Sequence, residues 1–326
     1  MEIIDSFPRL IDLAEEWSNL TEICGSSTPF QLPEWLLTWW PHFGSGDLQI
    51  LVFRSAGKLT GVIPCFRHEW NEKRQLTLIG SGVSDYLEPA ISPPHHAEIL
   101  EGLSKYLESN KDWDLCDWQD LSEDTPLRNL RSTRSFQVNL SSDVDCAHVP
   151  ITTSFDVFME GRPRGLRRNL RRYSEKARQL ATPEFEVTAS ADSELFDTLL
   201  RLHAERWHKH GEPGMIAANN STAFLRDVVV EFARRHMLLF FSLRFQEKVV
   251  AVILAFRYRN KLFGYLSAFD PELEQLGFGT ALLSEALRYA FDNGFESWNF
   301  LRGSEPYKFL WGAESISKCR ILITRS

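Results

Sequence analysis

This 326-residue chain lacks paired cysteines, long apolar runs and an excess of basic residues. Its five cysteines are scattered singly with no Cys-x-x-Cys pair, so the sequence predicts neither a metal site nor a disulfide framework. The longest purely apolar run covers residues 249–256, which is too short to cross a bilayer. These absences exclude a disulfide-stapled secreted module and a membrane-spanning chain.

Charge and composition further restrict the class of protein to which the chain can belong. The opening residues, MEIIDSF, lack the basic segment and apolar stretch of a secretion signal. A formal net charge of -8 argues against a protein whose whole surface binds nucleic acid, and we expect no DNA partner. With 43% hydrophobic residues, the chain can fill two domains of ordinary size. We therefore expect a packed cytoplasmic protein with reduced thiols.

The first half shows a definite order of predicted elements. Apolar residues at helical spacing predict helices near residues 7–20 and 33–43. The segments LQILVFR and LTGVIPCFRH flank a turn at residues 55–58 and predict a hairpin. A third strand (QLTLIG), a helix at 95–109 and a further strand (WDLCDW) follow.

The second half repeats that order. Helices are predicted near 191–209 and 221–235, and a hairpin turns at Gln246-Glu247. The strand KLFGYLSAF, a helix at 279–293 and the strand SWNFL complete the series. Corresponding elements lie at offsets of roughly 184 to 190 residues, which is typical of a structural duplication, although a chance self-match is the alternative.

Each half therefore predicts a mixed, mainly antiparallel sheet flanked by helices, within the α/β class (mixed α+β). We expect an N-terminal lobe over residues 1–150 and a C-terminal lobe over residues 151–326. A basic helix at 162–180 is expected to join them.

That basic segment departs from the acidic balance of the chain. Residues 162–178 carry eight cationic side chains and one acid, a net charge of +7. Such a helix can bind a pyrophosphate, a nucleotide-linked sugar, a tRNA acceptor stem or, peripherally, an anionic membrane. Alternatively, its arginines pair with acids on neighbouring elements.

Residues 270–308 are the segment richest in functional signals. Gly277 and Gly279 begin a predicted amphipathic helix, where backbone N–H groups and the positive end of the helix dipole favour an anion. A polar loop with Arg302, Glu305 and Tyr307 follows the next strand. A plain helix N-terminus is the alternative interpretation of the two glycines.

Four further segments resemble a known family. PEWLLTWW (33–40), RRNLRR (167–172), LHAERW (202–207) and LRGSEPYKFLWG (301–312) are similar to the CelD/BcsL-like branch of the GNAT N-acetyltransferase superfamily. The resemblance spans almost the whole chain. It implies tandem GNAT-like lobes, like those of the Fem-type transferases of peptidoglycan synthesis, and a role in polysaccharide or envelope biosynthesis in bacteria.

The resemblance also implies an acyl-CoA donor, acetyl-CoA in the first instance, and no metal. The family's phosphate-binding signature, Gln/Arg-x-x-Gly-x-Gly/Ala, aligns with residues 274–279, but Glu274 occupies its first position. A carboxylate there would repel a pyrophosphate, so Gln275 could substitute for it. The expected donor-binding residues are Gln275, Gly277, Phe278, Gly279 and Thr280, with the main chain of Leu266 and Ser267 aligning the pantetheine arm.

Catalytic roles follow from the same resemblance. The general acid is expected to be Tyr307, which begins the helix after SWNFL, unless Tyr307 and Trp311 simply pack a loop. Several carboxylates could act as the general base and none is decisive; Asp85, in the small-residue loop GSGVSDY, is one of them. Asp85 capping a turn is the alternative. Glu305, with Arg302, could form an ion pair that orients Tyr307 for catalysis, or could bind the acceptor.

A third group of residues is expected to contact the acceptor. It comprises the loop residue beside Asp85, two arginines of the basic helix, three residues of LHAERW and two residues near Tyr307: Tyr86, Arg167, Arg168, His203, Arg206, Trp207, Arg302 and Lys308. His203, Arg206 and Trp207 fall within one helical turn. The acceptor itself is expected to be a small-molecule or glycan amine.

Three hypotheses result. The first is an acyl-CoA-dependent N-acyltransferase acting on an amino sugar or envelope precursor. The second is a Fem-type transferase that uses aminoacyl-tRNA, which the absence of an inserted coiled-coil arm makes the weaker choice. The third is a non-catalytic accessory protein of polysaccharide assembly with a degenerate fold, which Glu274 favours.

Overall fold

The structure, a computed structural model, describes residues 1–25, 28–210 and 219–326. Contacts divide the chain into two units, Met1–Asp145 with Ser317–Ser326, and Cys146–Ile316. Each unit contains one sheet flanked by helices. The fold is therefore mixed α/β with two mainly antiparallel sheets, as predicted.

The first unit holds four α-helices and eight strands in its described part. Its helices are α1 (Phe7–Asp12), α2 (Ala14–Ile23), α3 (Pro33–Phe43) and α4 (His96–Ser109). Its strands are β1 (Glu2–Ile4), β2 (Asp47–Ser55), β3 (Lys58–Trp70), β4 (Lys73–Leu78), β5 (Ala90–Ile91), β6 (Leu115–Ser122), β7 (Phe136–Ser142) and, from the end of the chain, β15 (Lys318–Arg325). These eight strands form one sheet.

The second unit begins with β8 (Cys146–Pro150) and continues through six helices. Those helices are α5 (Phe155–Glu160), α6 (Arg164–Leu180), α7 (Ser193–His210), α8 (Asn219–Arg234), α9 (Phe278–Asp292) and α10 (Pro306–Leu310). The remaining strands are β9 (Glu184–Thr188), β10 (Leu238–Phe245), β11 (Lys248–Tyr258), β12 (Lys261–Phe269), β13 (Ser297–Arg302) and β14 (Glu314–Ile316).

The two sheets share one connection plan. The first runs β1-β2-β3-β4-β6-β15-β7, with β5 also paired to β3, and the second runs β14-β8-β13-β12-β11-β10-β9. In each, a hairpin leads to a third antiparallel strand, and one helix then connects to a parallel neighbour. The parallel pairs are β4 with β6, through α4, and β12 with β13, through α9. This repetition agrees with the tandem lobes predicted from the sequence.

The predicted hairpin turns are present in both units. Ala56 and Gly57 have φ of 49° and 80°, and Gln246 and Glu247 have φ of 49° and 63°. Positive φ at both central residues suits the right-handed twist of the strands that such a turn connects. The predicted helices and strands around these turns are also formed, although the first predicted helix is divided into α1 and α2 at Leu13.

The boundary between the units differs from the predicted division at residue 150. Strand β8 belongs to the second sheet, where it pairs with β13, and β15 returns to the first sheet between β6 and β7. The basic helix α6 belongs to the second unit. Its half-buried Leu166 and Leu170 and its buried Ala177 pack against the core that α9 and β10 also line.

Candidate functional site

Strands β12 and β13 diverge after a short parallel contact. They pair only from Lys261 to Phe263 on β12, opposite Ser297 to Asn299 on β13. Beyond that point β12 remains bonded to β11, whereas β13 remains bonded to β8. A wedge therefore opens between two adjacent strands, and main-chain groups along it are not used in pairing β12 with β13.

Both strands are irregular where they separate. The register of β12 against β11 shifts so that Tyr265 is an extra residue between Gly264 and Leu266. On β13 the register shifts between Asn299 and Leu301, and Leu301 has φ of 61°. The Leu301 N–H donates to Oδ1 of Asn299 at 2.7 Å. Bulges of this kind bend a strand and redirect its side chains and main chain.

The predicted donor residues Leu266 and Ser267 lie on β12 beyond the separation. Leu266 is buried and Ser267 is exposed. Their position allows the main-chain role expected for them, since the neighbouring stretch of β13 does not pair with this part of β12.

The N-terminus of α9 lies immediately after β12 and a short 3-10 helix. Gly277 is its N-cap, with φ of 65°, and supplies no capping side chain. In the described part of the chain, the backbone N–H groups of Phe278, Gly279 and Thr280 have no hydrogen-bond acceptor. Three unpaired donors at the positive end of a helix dipole form a favourable position for an anion.

Both glycines at this N-terminus are in close contact with aromatic rings. A Cβ on Gly277 would overlap the ring of Tyr173 from α6, and a Cβ on Gly279 would lie 2.7 Å from Cδ1 of Phe269. Phe278 is buried and packs 4.9 Å from Phe245, so its side chain belongs to the core. Only its main chain is available for the binding role predicted for it.

Glu274, the residue that departs from the phosphate-binding signature, has a cationic partner. Its Oε2 lies 3.7 Å from Nζ of Lys209 on α7, and Lys209 also donates to the Pro271 carbonyl at 3.2 Å. The pair is exposed, so its contribution to stability is small. It nevertheless offsets the repulsion that Glu274 would otherwise exert on a phosphate. Gln275 is exposed beside it.

Helix α7 holds His203, Arg206 and Trp207 within one turn, as predicted. The Trp207 Nε1–H donates to Nε2 of the buried His203 at 2.8 Å. Because an indole nitrogen only donates, His203 must carry its proton on Nδ1. Burial, aided by the charge of Arg206, lowers the pKa of His203 to about 4, so the imidazole is neutral at physiological pH.

Helix α10 holds Tyr307 and Lys308 directly after the loop that follows β13. Burial and the charge of Glu305 together raise the pKa of Tyr307 to about 12, against an opposing effect of Arg206. The residue as a whole is 46% exposed. A phenol in this state remains protonated and able to donate a hydrogen bond.

Lys308 has a different environment from the one expected. Its ammonium donates to the carbonyls of Arg302 at 2.6 Å and Gly303 at 3.1 Å, and lies 2.8 Å from Oε2 of Glu305. A longer contact reaches the Leu301 carbonyl at 3.4 Å. The residue is only 2% exposed. Lys308 therefore stabilises the loop between β13 and α10. The sequence had predicted that Lys308 would contact substrate.

Arg206 on α7 interacts with residues of both β12 and α10. Its guanidinium lies 5.0 Å from the centroid of Phe269, and its charge acts on both His203 and Tyr307. The wedge, the N-terminus of α9, the turn of α7 and Tyr307 thus surround one region of the second unit. Arg302, the last residue of β13, borders the same loop.

The remaining predicted site residues belong to other elements. Asp85 and Tyr86 belong to the first unit, where the Tyr86 ring is buried, stacks 6.3 Å from Phe30 and lies under the Lys318 ammonium at 3.8 Å. Arg167 and Arg168 lie on α6.

Three residues around the α9 N-terminus were not predicted: Lys209, Tyr173 and Phe269. Tyr173 lies seven residues after Leu166 and four before Ala177, so helical periodicity alone would have placed it on the packed face of α6. Lys209 lies in the same segment as His203, but its partner Glu274 is distant in the sequence. No short-range signal identifies that pair.

Comparison with known families agrees with this geometry. Residues 164–309 match the model of a family described as an acetyltransferase (GNAT) domain. The chain contains a GNAT domain. That domain covers α6 to α10 and includes the wedge, the α9 N-terminus and Tyr307.

Solved structures share the fold of nearly the whole chain at low identity. The crystal structure of FemX is 12% identical with a TM-score of 0.68, covering 98% of this chain and 97% of that one. A conserved protein of unknown function from Bacteroides thetaiotaomicron VPI-5482 is 10% identical with a TM-score of 0.63, covering 99% and 100%. L-PGS from Bacillus licheniformis is 13% identical with a TM-score of 0.55, covering 90% and 91%.

No curated protein sequence matches the chain. Among the described residues, no helix is long and apolar enough to span a membrane, and no group of histidine, cysteine and acidic side chains is arranged to hold a metal ion. Together, the comparisons match residues 164–309 to a GNAT domain and the fold of nearly the whole chain to that of FemX.

Proposed function

We propose that the protein is an N-acyltransferase that moves an acyl group from acyl-CoA to an amine acceptor. The observation that carries this proposal is the wedge between β12 and β13 beside the three unpaired N–H groups of α9. The wedge can align an extended pantetheine arm through the main chain of Leu266 and Ser267. The helix N-terminus can bind the pyrophosphate of the same donor.

The proposed reaction is direct transfer within a ternary complex. The amine nitrogen forms a bond to the thioester carbon, the carbon–sulfur bond breaks, the amine loses a proton and the thiolate gains one. Positioning of both reactants supplies much of the rate. A main-chain N–H in the wedge would stabilise the charge that develops on the thioester oxygen.

Tyr307 is the proposed proton donor to the departing thiolate. It is protonated throughout the physiological range, because the pKa of its phenol is raised to about 12. This raised pKa makes it a weaker acid than an ordinary tyrosine, so its hydrogen bond to the sulfur is as important as full proton transfer. Glu305 and Lys308 hold the loop that positions it.

The remaining parts of the proposal are the general base that deprotonates the amine and the residues that bind the acceptor. His203 is a poor base, since its pKa is lowered to about 4 and its Nε2 lone pair already accepts from Trp207. Asp85 remains a candidate base, and Glu305 is a weaker one because it is bound to Lys308. We propose His203, Arg206 and Trp207 as acceptor contacts, and an amino sugar or envelope precursor of the CelD/BcsL type as the acceptor.

A second candidate is an aminoacyl-tRNA-dependent transferase of Fem type. The two-lobed fold shared with FemX favours it, although identity of 12% supports only the fold. Charged tRNA would then replace acyl-CoA as the donor. Transfer of the amino acid from charged tRNA, with no binding of any acyl-CoA, would decide in its favour.

Titration calorimetry and thermal unfolding with acetyl-CoA and longer acyl-CoAs test the leading proposal. A donor at about 100 times its Kd stabilises the native state by about 2.7 kcal/mol. Release of free CoA thiol in the presence of a panel of amino sugars then reports turnover. Absence of binding for every acyl-CoA would exclude the proposal, whereas binding without turnover across a broad amine panel would favour the accessory role.

Tyr307→Phe separates binding from chemistry. Loss of a proton donor lowers kcat by about 100-fold, within the usual range for general acid catalysis, with an unchanged donor Kd. Phe309→Tyr on the same exposed helix is a matched control that leaves Tyr307 in place. An unchanged kcat in Tyr307→Phe would remove Tyr307 from the mechanism.

A further inference from the structure

Helix α6 displays cationic side chains that its own chain does not neutralise. Its seven cations are Arg164, Arg167, Arg168, Arg171, Arg172, Lys176 and Arg178. Among the residues that the structure describes, none of these seven forms an ion pair with an acid. Arginines elsewhere in the unit do so, as Arg226 with Asp197 at 2.6 Å. The cationic face of α6 is therefore available to an external anion.

A groove of about 640 Å³ runs beside this helix. It is bounded by α5, α6, β9 and α9, and its apolar lining includes Leu170, Ala177, Phe185 and Phe278. Its volume lies within the range of ordinary small-molecule sites. This groove is formed by the α6 side of α9 and by the edge strand β9, whereas the wedge lies between β12 and β13.

A buried polar atom at the groove lacks a partner. Nε of Arg167, a lining residue, is inaccessible to solvent and has no hydrogen-bond acceptor in the described chain. A guanidinium N–H in such a position is suited to a phosphate or carboxylate oxygen. The rim also holds acids, of which Asp156 and Glu285 lie 3.7 and 3.9 Å from Arg288. Glu160 and Glu175 form no ion pair within the described part of the chain.

Exposed apolar side chains flank the cationic face. Leu180 at the C-terminal end of α6 is 63% exposed, and Val157 on α5 is 54% exposed. Nucleic-acid backbones offer phosphates but no partner for aliphatic side chains. A bilayer surface offers both, since headgroup phosphates lie directly above acyl chains. The combination of unpaired arginines, an apolar groove and exposed aliphatic residues therefore favours lipid over RNA.

We propose that α6 and the groove beside it form a docking surface for a bilayer that contains anionic phospholipid. Headgroup phosphates contact the arginines of α6, and the apolar groove accepts the upper part of an acyl chain. The protein is thereby held at a membrane surface by a peripheral contact. The groove borders the start of α9, where the donor pyrophosphate is proposed to bind, but its lining includes no residue of β12 or β13.

Vesicle flotation tests the proposal with the full chain. Vesicles of 30% phosphatidylglycerol in phosphatidylcholine should carry the protein, and pure phosphatidylcholine vesicles should carry much less. Arg168→Ala combined with Arg172→Ala removes two exposed cations, and each contributes about 1 kcal/mol near an anionic surface. Partitioning should therefore fall about thirty-fold, the equivalent of a loss of about 2 kcal/mol.

Matched variants separate this surface from general charge. Lys248→Ala with Lys261→Ala removes the same charge from exposed turn positions of the unit and should leave partitioning within about twofold. Ala281→Phe, in the groove lining, should weaken partitioning even in 0.5 M NaCl, where the arginine contribution is screened. Ala233→Phe on α8 is its size-matched control.

Several results would overturn the proposal. Failure to float with the anionic vesicles is one, and equal partitioning of the α6 double variant and the lysine control is another. Binding of tRNA that is lost in the α6 double variant, without vesicle binding, would assign the surface to RNA. Circular dichroism and thermal unfolding of each variant exclude misfolding as the cause of a loss.

Discussion

The indole N–H of Trp207 donates to Nε2 of His203 at 2.8 Å, within one turn of α7. This bond fixes the neutral tautomer of a histidine that is 95% buried, with its remaining proton on Nδ1. It makes His203 a donor through Nδ1 and prevents Nε2 from acting as a base.

The lowered pKa of His203 predicts a loss of stability in acid. The unfolded chain binds this proton below pH 6.5, whereas the folded chain does so only below about pH 4. Stability therefore falls as the pH decreases from 6.5 to 4, by a limit of about 3 kcal/mol. His203→Gln, which can still accept from Trp207, should flatten this slope in urea unfolding. An unchanged slope would show that another group is responsible.

Glu88 in the first unit should act in the opposite direction. Burial raises the pKa of this carboxyl to about 7, and its Oε1 has no hydrogen-bond partner in the described chain. The folded state therefore binds the proton more tightly, and stability falls as the pH rises from 4.5 to 7. Glu88→Gln should be more stable than the parent at pH 8 and should lack this dependence. Urea midpoints across that range provide the measurement.

Thr280→Glu should weaken donor binding without harm to the fold. A carboxylate in the first turn of α9 favours the helix dipole, so stability should stay within about 1 kcal/mol of the parent or rise slightly. The same charge repels a pyrophosphate at the N–H groups of residues 278–280, and the Kd for acyl-CoA should rise about tenfold or more. Thr280→Gln is the neutral control. Equal affinity in both variants would place the donor phosphates elsewhere.

Lys308→Met should destabilise the loop between β13 and α10. The change keeps much of the side-chain volume but leaves the carbonyls of Arg302 and Gly303 without their donor. Leaving buried acceptors unpaired costs about 1 to 3 kcal/mol, which urea unfolding can resolve. Lys248→Met at an exposed position should change stability by less than about 0.5 kcal/mol. A similar small change in Lys308→Met would contradict the structural role.

Gly277→Ala should lower stability through two separate effects. Alanine is disfavoured at φ of 65°, and its Cβ would overlap the Tyr173 ring. Combining it with Tyr173→Ala should recover the part of the loss that arises from the overlap, in a double-mutant cycle measured by urea unfolding. Gly165→Ala, within α6 and with open space around it, should instead stabilise by about 0.5 to 1 kcal/mol. Additive losses at Gly277 and Tyr173 would exclude the overlap.

The sequence predicted the fold well because the informative signals are local. Alternating strands, turn residues such as Gln246-Glu247 and the glycine start of α9 each depend on a few adjacent residues. The position of Tyr307 after β13 was also predicted, through the family resemblance. Its role as a proton donor stays a prediction.

Long-range partners were less accessible to sequence analysis. The ammonium of Lys308 binds backbone carbonyls, which carry no residue-specific signal in the sequence. For this reason the sequence predicted that Lys308 would contact substrate. Glu274 was expected to repel a phosphate, because its partner Lys209 lies on a different element and could not be identified from the sequence. Sequence analysis also left open whether neighbouring acids neutralise the basic helix, because those acids would lie on other elements. Among the described residues, no cation of α6 forms an ion pair with an acid.

The return of β15 to the first sheet has a consequence for biosynthesis. Within the described sheet, β7 is joined to the other strands only through β15, and β6 has β15 along one entire edge. A ribosome must therefore synthesise the whole GNAT domain before the first sheet can close. Until then, the nascent N-terminal half exposes an unpaired strand edge, the kind of surface that chaperones protect from aggregation.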